Sequence, residues 1–522
     1  MLPYIAAGFG FGLLLYPWFS PAQGILTLSQ EIARQFVLLL ITLFIAANVK
    51  EMPKQKRLPL WVAPLVVVAL AVLLRHTVLA HLPFVPGDED EYLFQARIFA
   101  RGRISAPAPP GAASFWAPGL LIHKGRWFGH HQPGHSLLLA AGVLLGAPGL
   151  VPALSSGLTV LLLSLTAQKI GGRDAGILTG LLALSSPMLL MTGATLVSET
   201  TSLLLVVAVI WLLIAQPCGD RRSPLWAGLV LGALLNVRII TGMGALLAAL
   251  LLVGRGYRRL IPGIAVGLAA LVLHNTMTTG APLMLPFQLY EPQAMGFKGN
   301  FGPAKAVAHL VRNVILLNFW LLGWPLSLIL VRRGCRERGR VAWAGVVFVA
   351  WIALATAFYW HPGQVATGPL RFHETLAFLL LFSGLGWHHV AASGSFLARY
   401  VPIAMAAAHL GFMPVRQAVL ETFITRVHEP RQALAQLVLD EHVVVLAGAG
   451  DLFHYPVNDP WLRAQSQPVF MRGGPHLEDA PFRNRSHLWL TQRCDSTGCP
   501  WRLTAAPPVP APSVPLRHVL VQ

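Results

Sequence analysis

Residues 58–102 read LPLWVAPLVVVALAVLLRHTVLAHLPFVPGDEDEYLFQARIFARG. From Leu58 to Ala80 the run is apolar and long enough to cross a bilayer, which takes about 20 such residues. Just beyond it stand Asp88-Glu89-Asp90-Glu91, in a chain with only 21 carboxylate residues in 522. Acids held against a membrane surface are costly and repel one another, so a cluster there points to chemistry or metal binding. In the stretch that follows, Phe94, Ile98 and Phe99 share one helical face and Arg97 and Arg101 another. That spacing predicts an interfacial amphipathic helix ended by Gly102. An N-cap at Asp88 and favourable charges on the helix dipole account for one or two acids, not four.

Composition carries the membrane reading to the whole chain. It is 55% hydrophobic and 11% charged, against roughly 25% charged in soluble domains. The formal charge is +18, but the cations are not spread over a nucleic-acid-binding face. They cluster in short loops: Lys50 to Arg57, Lys169 to Arg173, Arg221-Arg222, Arg255 to Arg259 and Arg332 to Arg340. By the positive-inside rule those loops are cytoplasmic, and no nucleic-acid partner is expected.

Apolar runs of spanning length occupy 2–19, 30–49, 58–80, 150–168, 175–195, 200–216, 225–237, 239–254, 259–276, 313–331, 341–360, 373–389 and 396–413. The run 135–148 is marginal and reads as half-inserted. The N-terminus lacks a basic region and a small-residue cleavage site, so it reads as a retained span. The fold class expected is an all-α polytopic membrane protein of about thirteen helices. An odd count puts the N-terminus in the cytoplasm. Residues 81–134, 277–312, 361–372 and the tail from about 414 then lie outside.

In the tail, 415–438 reads as helix and Val443-Val444-Val445-Leu446 as a buried strand, giving a small external α/β appendage. The domain boundaries expected are 1–57 (two spans and a basic loop), 58–413 (membrane core), 414–504 (appendage) and 505–522 (disordered end). Cys494 and Cys499 lie in the external tail at a spacing suited to a disulfide, whereas Cys218 and Cys335 stay reduced. There is no internal repeat and no glycine-rich phosphate loop.

Further polar residues gather on the external side. His123, His130, His131 and His135 share the first loop with the four acids, so a metal site is open, though no spacing there is a known ligand motif. Asn236 and Arg238 end one span, His274 and Asn275 another, and Arg371 and Glu374 begin a third. Carboxylates able to take a proton and cations able to hold an anion thus converge on one face. Transfer away from a phosphate leaving group needs both.

Asp88-Glu89-x-x-Tyr92-Leu93-Phe94-Gln95-Ala96-Arg97-x-Phe99-Ala100-Arg101-Gly102 resembles the first external loop of bacterial GT-C membrane glycosyltransferases, relatives of protein O-mannosyltransferases and aminoarabinose transferases. Gly125-Arg126-Trp127-Phe128 with Pro133-Gly134-His135 resembles the same group's return to the membrane. Leu285-Pro286-Phe287 and Gly368-Pro369 through Glu374 resemble later external loops.

The resemblance covers most of 58–390 and implies a polyprenyl-phosphate-linked sugar donor, a membrane lipid environment and an external acceptor. It implies Asp88 as general base, with Glu89 assisting it or helping to hold a divalent ion. Magnesium or manganese is the only cofactor it leaves room for. His130, Arg238 and Arg371 would bind the donor phosphate; Asp90, Glu91, Tyr92, His131, His135 and Glu374 are candidate contacts to substrate or metal. Where relatives often carry Lys-Tyr-Pro this chain has His130-His131-Gln132, and where many have Ser-His it has Ser198-Glu199.

The location implied is the bacterial inner membrane, with the tail periplasmic. Two other classes compete. A transporter or lipid flippase would show inverted repeats and broken helices. A silent scaffold would tolerate neutralised acids. The sugar, the acceptor and the oligomeric state are not legible.

Overall fold

With 55% of its residues hydrophobic, the chain satisfies its backbone mainly through helices, as a bilayer requires. The structure is a computed structural model that describes residues 28–48, 58–85, 87–109, 112–115, 117–214, 222–290, 302–336, 339–359, 363–365, 367–393, 395–429, 431–432, 443–447, 458–462, 469–472, 486–492 and 501–504. The expected span 2–19, the end 505–522, Cys218, Cys494 and Cys499 lie outside the described residues.

The helices are α1 (Leu28–Asn48), α2 (Val62–Thr77), α3 (Asp88–Phe99), α4 (Pro133–Leu144), α5 (Leu150–Gly171), α6 (Arg173–Leu184), α7 (Pro187–Gly193), α8 (Glu199–Ile214), α9 (Ser223–Leu235) and α10 (Ile239–Val253). They continue as α11 (Ile261–Thr279), α12 (Pro286–Tyr290), α13 (Pro303–Trp320), α14 (Leu328–Cys335), α15 (Gly339–Ala357), α16 (Leu376–Ala391), α17 (Phe396–Ala407) and α18 (Met413–Val427). Strands β1 (Ala106–Pro107), β2 (Leu120–His123) and β3 (Arg126–Gly129) form an antiparallel sheet in the order β1-β3-β2. Strands β4 (Gln364–Val365) and β5 (Gly368–Pro369) make a short ladder. In the tail, β6 (Val443–Ala447) pairs in parallel with β7 (Val469–Arg472) and β8 (Ser486–Gln492), and β9 (Trp501–Thr504) closes antiparallel on β8.

Five helical segments among the described residues are long and apolar enough to span: Leu150–Gly171, Ile239–Arg259, Ile261–Thr279, Gly339–Ala357 and Phe396–Thr425. The expected span 175–195 is broken instead. α6 and α7 meet at 66°, because Pro187 cannot continue a helix and Ser186 caps the new one, accepting from the Leu189 amide. Counting that pair as one gives six, and shorter apolar helices such as α2, α8 and α9 accompany them. The chain is a multi-pass helical membrane protein.

Two compact units are present. One comprises residues 1–80, 149–271 and 292–421; the other 81–148, 272–291 and 422–522. In the first, α16 is buried along nearly its whole length, as a helix apolar on every face should be. α9 and α11 approach through two Gly-x-x-x-Gly pairs, Gly228/Gly232 and Gly263/Gly267. A Cβ on Gly232 would lie 2.7 Å from the Gly263 carbonyl oxygen, and one on Gly267 would meet the Gly232 backbone. Asn236 locks the contact, donating to the Gly232 and Gly267 carbonyls at 2.9 and 2.8 Å.

The second unit corrects one sequence expectation. Phe94 and Ile98 of α3 are 1% and 0% exposed, packed with Ala106, Phe115, Leu120 and Trp127. The apolar face of α3 therefore fills a protein core rather than lying in lipid, because the β2–β3 hairpin and Phe115 cover it. α4 does present leucines outward, with Leu137 62% and Leu144 71% exposed. Twelve residues rise only about 18 Å, too short to cross a hydrocarbon core of about 30 Å.

Gly267→Val tests the α9–α11 contact. Overpacking at a backbone–backbone approach should cost about 1–3 kcal/mol, read as a lower unfolding temperature in detergent, while Gly256→Ala, in the turn after α10, should leave it unchanged. Equal melting of Gly267→Val and wild type would mean that the glycines are not needed for close approach.

Candidate functional site

Each unit carries one buried polar cluster. In the second unit it is built on the first turn of α3, where Gly87 (φ 92°), not Asp88, takes the cap position. Asp88 is the first helical residue and half-buried. The Oε1 of Glu89 accepts the Phe84 and Val85 amides at 2.6 and 2.9 Å, folding the preceding loop back on the helix. Both Asp90 oxygens accept from Arg431, one at 3.0 Å from NH1 and the other from NH2.

Glu91 is 1% exposed. It accepts the His131 amide at 2.9 Å, pairs with the His131 ring through Nδ1, and lies 3.4 Å from His130 Nδ1. Glycine makes this burial possible. Gly119 (φ +81°) sits so close that a Cβ would lie 3.0 Å from that of Glu91, and a Cβ on Gly129 would run into the Glu91 carboxyl group. Gln95 braces the hairpin, accepting from the Gly129 amide and donating to the Ile104 carbonyl, both at 2.9 Å.

The β2–β3 hairpin delivers the two histidines. His130 Nδ1 bonds the Gly119 carbonyl at 2.8 Å, which fixes that nitrogen as the donor. Its ring stacks on Tyr290 at 4.3 Å between centroids, and Tyr92 contacts His131 and His135 at 4.6 and 4.9 Å. Burial pushes the Glu91 carboxyl up to about 7, although His130 and the neighbouring amides pull it the other way. Burial, then repulsion from His131, lowers His130 to about 4. At neutral pH His130 is uncharged and its one N–H is held by the Gly119 carbonyl, so it offers an anion neither positive charge nor a free donor.

The Glu91, His130 and His131 ligand atoms all lie within 4.8 Å of one another, close enough to share an ion. Two imidazoles and one carboxylate fit a zinc-class cation, and the Nδ1–H to carbonyl bond of His130 is the outer support such a ligand needs. The set does not suit magnesium, which prefers oxygen donors. One Glu89 oxygen, Oε1, is already shared by two amides.

In the first unit, Arg238 is clamped between two acids. Its Nε donates to Glu374 at 3.0 Å, and NH1 donates to Glu199 at 2.5 Å and Ser198 at 3.2 Å. Glu374 also accepts from Ser202 at 2.6 Å and Thr241 at 3.2 Å. The Arg371 guanidinium lies 3.5 Å over the Tyr359 ring. Burial holds it below the usual arginine range, and its Nε has no hydrogen-bond partner among the described residues. A buried guanidinium with a spare N–H is a ready donor to an oxyanion.

Sequence reading thus found Asp88 to Glu91, His130, His131, Arg238 and Glu374. The structure brings Glu91 together with His130 and His131, and Arg238 with Glu374. Sequence reading missed Arg431, Ser202, Thr241 and the two glycine slots. It noticed Glu199 only as a departure from a pattern, although an acid opening an apolar run at α8 was itself a signal.

No protein-family model matches the chain, and no curated protein does. Solved structures match in fold. ArnT from Cupriavidus metallidurans in the apo state is 17% identical over 79% of this chain and 86% of that one, with a TM-score of 0.54. The same protein bound to undecaprenyl phosphate is 14% identical, with the same coverage and a TM-score of 0.53. The oligosaccharyltransferase of Archaeoglobus fulgidus, tethered with an acceptor peptide, is 11% identical over 81% of this chain and 65% of that one, with a TM-score of 0.44. The chain has the GT-C fold of membrane glycosyltransferases.

Proposed function

We propose that this protein is an integral-membrane glycosyltransferase that moves a sugar from a polyprenyl-phosphate donor to an acceptor hydroxyl on the external face. The observation that carries this reading is the acidic first turn of α3, where Glu89, Asp90 and Glu91 bind the preceding loop, the tail and the hairpin and Asp88 stands half-buried at the head of the helix. The GT-C fold supports the reaction class, and the undecaprenyl phosphate bound to ArnT supports a lipid-phosphate donor.

In the reaction the acceptor hydroxyl oxygen attacks the anomeric carbon, and its proton passes to Asp88 as general base. The bond from the anomeric carbon to the phosphate oxygen breaks, and the electron pair leaves with polyprenyl phosphate. Arg371 and Arg238 supply positive charge to that phosphate, and His130, expected from the sequence to bind it, has no N–H left to do so. One displacement with one base gives inversion at the anomeric carbon. A cation at Glu91, His130 and His131 would add positive charge beside the buried carboxylate. The proposal extends to thirteen spans, a cytoplasmic N-terminus, an external C-terminal domain with the boundaries given above, and residence in the bacterial inner membrane.

Asp88→Asn, in vesicles supplied with polyprenyl-phosphate sugars, should slow release of polyprenyl phosphate by about 10²–10⁴-fold while donor binding persists. Turnover equal to wild type would move the base to another acid. Retained anomeric configuration in the product, seen by NMR, would rule out the single displacement.

The buried Glu91–His130 pair sets the pH range over which the loop is stable enough for such assays. Glu91 rises from 4.5 to about 7, so its contribution to stability is complete below pH 4.5 and lost as pH climbs through 7. His130 falls from 6.5 to about 4, so its contribution is complete above pH 6.5 and lost as pH drops toward 4. The two oppose each other between about pH 4.5 and 6.5. In chelator-treated protein, Glu91→Gln should therefore show a melting temperature that rises with pH across that window, and His130→Asn one that falls. Slopes of the same sign in both variants would refute this assignment.

A further inference from the structure

The C-terminal segment grips α3 at both ends. At the first turn, Arg431 takes both oxygens of Asp90, with the two side chains only 10% and 12% exposed. Three residues earlier, the fully buried His428 donates from Nε2 to the Pro83 carbonyl at 2.5 Å. The Phe423 ring meets that of Phe84 at 5.9 Å. Glu89 holds the amides of Phe84 and Val85, so the tail and Glu89 fix the same short loop. At the far end of α3, the Arg101 guanidinium lies 3.9 Å over the Trp461 ring. Asp459 accepts the Trp461 amide at 3.0 Å, and Trp461 and Leu462 pack against the Phe94–Ile98–Trp127 core.

These contacts span 341 residues of sequence at the Arg431–Asp90 pair. Together they decide how the turn that begins with Asp88 is held. Four carboxylates in one helical turn repel one another, and the repulsion is strongest where water is excluded. A guanidinium with two parallel N–H···O contacts both cancels one charge and fixes the angle of the turn.

We propose that Arg431 is a positioning residue: the tail segment 422–432, seconded by 458–462, clamps α3 so that Asp90 is neutralised as a counter-ion and Asp88 is left aimed for proton transfer. The proposal deepens the glycosyltransferase reading and rests on it for its kinetic arm. The tail is on this account part of the catalytic loop's scaffold rather than a separate appendage. Small misplacements of a catalytic group cost up to about 10²-fold in rate, which is the scale expected here.

The test compares wild type, Arg431→Gln, Arg431→Lys and the charge swap D90R/R431D in vesicles, with hydrogen exchange measured in parallel. Arg431→Gln should speed amide exchange in residues 88–92 and lower kcat by about 10–100-fold, with donor KM unchanged. The swap should restore exchange protection and most of kcat, and Arg431→Lys should restore part of each. A purely structural role would instead lower melting temperature and the yield of folded protein without a kcat-specific loss or rescue by the swap. Unchanged exchange and kcat in Arg431→Gln would overturn the proposal, as would a swap that rescues neither. If Arg431→Gln fails to fold, the neutral pair D90N/R431Q serves in its place, and protection equal to wild type there with kcat reduced supports positioning by the charged pair. The exchange arm needs no activity. Faster exchange in Arg431→Gln together with a fully active Asp88→Asn would keep the clamp and discard the base assignment.

Discussion

Four carboxylates in a single helical turn can be held in a protein interior only if each charge is answered separately. For the three that follow Asp88, the second unit does this with three different devices. Two backbone amides answer Glu89, a guanidinium answers Asp90, and a histidine pair in a glycine-lined slot answers Glu91. Each device comes from a different part of the chain: the loop just before the helix, the tail, and the β2–β3 hairpin. The hairpin, the tail and α3 therefore fold as one unit because electrostatics leaves them no cheaper arrangement. The apolar seam under α3, with Phe94 and Ile98 against Trp127, supplies the burial that makes those charges matter.

How much of this was legible in the sequence depends on how local the cause was. The membrane class follows from composition, and the start of α3 from acids followed by apolar spacing, because both are written in contiguous residues. The face of α3 was legible and its destination was not. An amphipathic stripe looks the same against lipid as against a protein core, and only the hairpin that begins at Leu120, beyond the helix end at Phe99, decides between them. The break between α6 and α7 was written at Ser186-Pro187 but masked by unbroken hydropathy. Arg431 left no signal at all, since nothing around it marks a partner 341 residues away. The glycines at 119 and 129 look like ordinary hairpin punctuation until Glu91 is placed between them.

The first unit answers its charges by a different rule. Arg238 joins two acids rather than one, and Arg371 adds a second cation nearby, so Glu199, Glu374, Arg238 and Arg371 sum to no net charge. A balanced cluster is what a largely apolar helical unit can tolerate. Its members still differ in what they can do. The acids hold Arg238 in a fixed orientation, with Ser202 and Thr241 donating to the same Glu374 oxygen, Oε1, that Arg238 contacts. Arg371 lies on an aromatic face that attracts its charge, and its Nε has no hydrogen-bond partner among the described residues. Of the two cations, Arg371 is thus the one whose donors an incoming phosphate displaces least from existing bonds.

The replacement of a Lys-Tyr-Pro pattern by His130-His131-Gln132 then has a physical consequence. A lysine there would bring a permanent charge to the loop, whereas His130 is neutral at neutral pH and spends its Nδ1 proton on the Gly119 carbonyl. Attraction for an anionic donor cannot come from that position, so on the proposed reading the arginines of the first unit carry it. His131 is in turn free of the duty of binding phosphate and serves the buried Glu91 instead. A carboxylate buried that deeply without an imidazole beside it would take up a proton. With the imidazole in place, the hairpin is tied to α3 through Glu91, the last of the four acids.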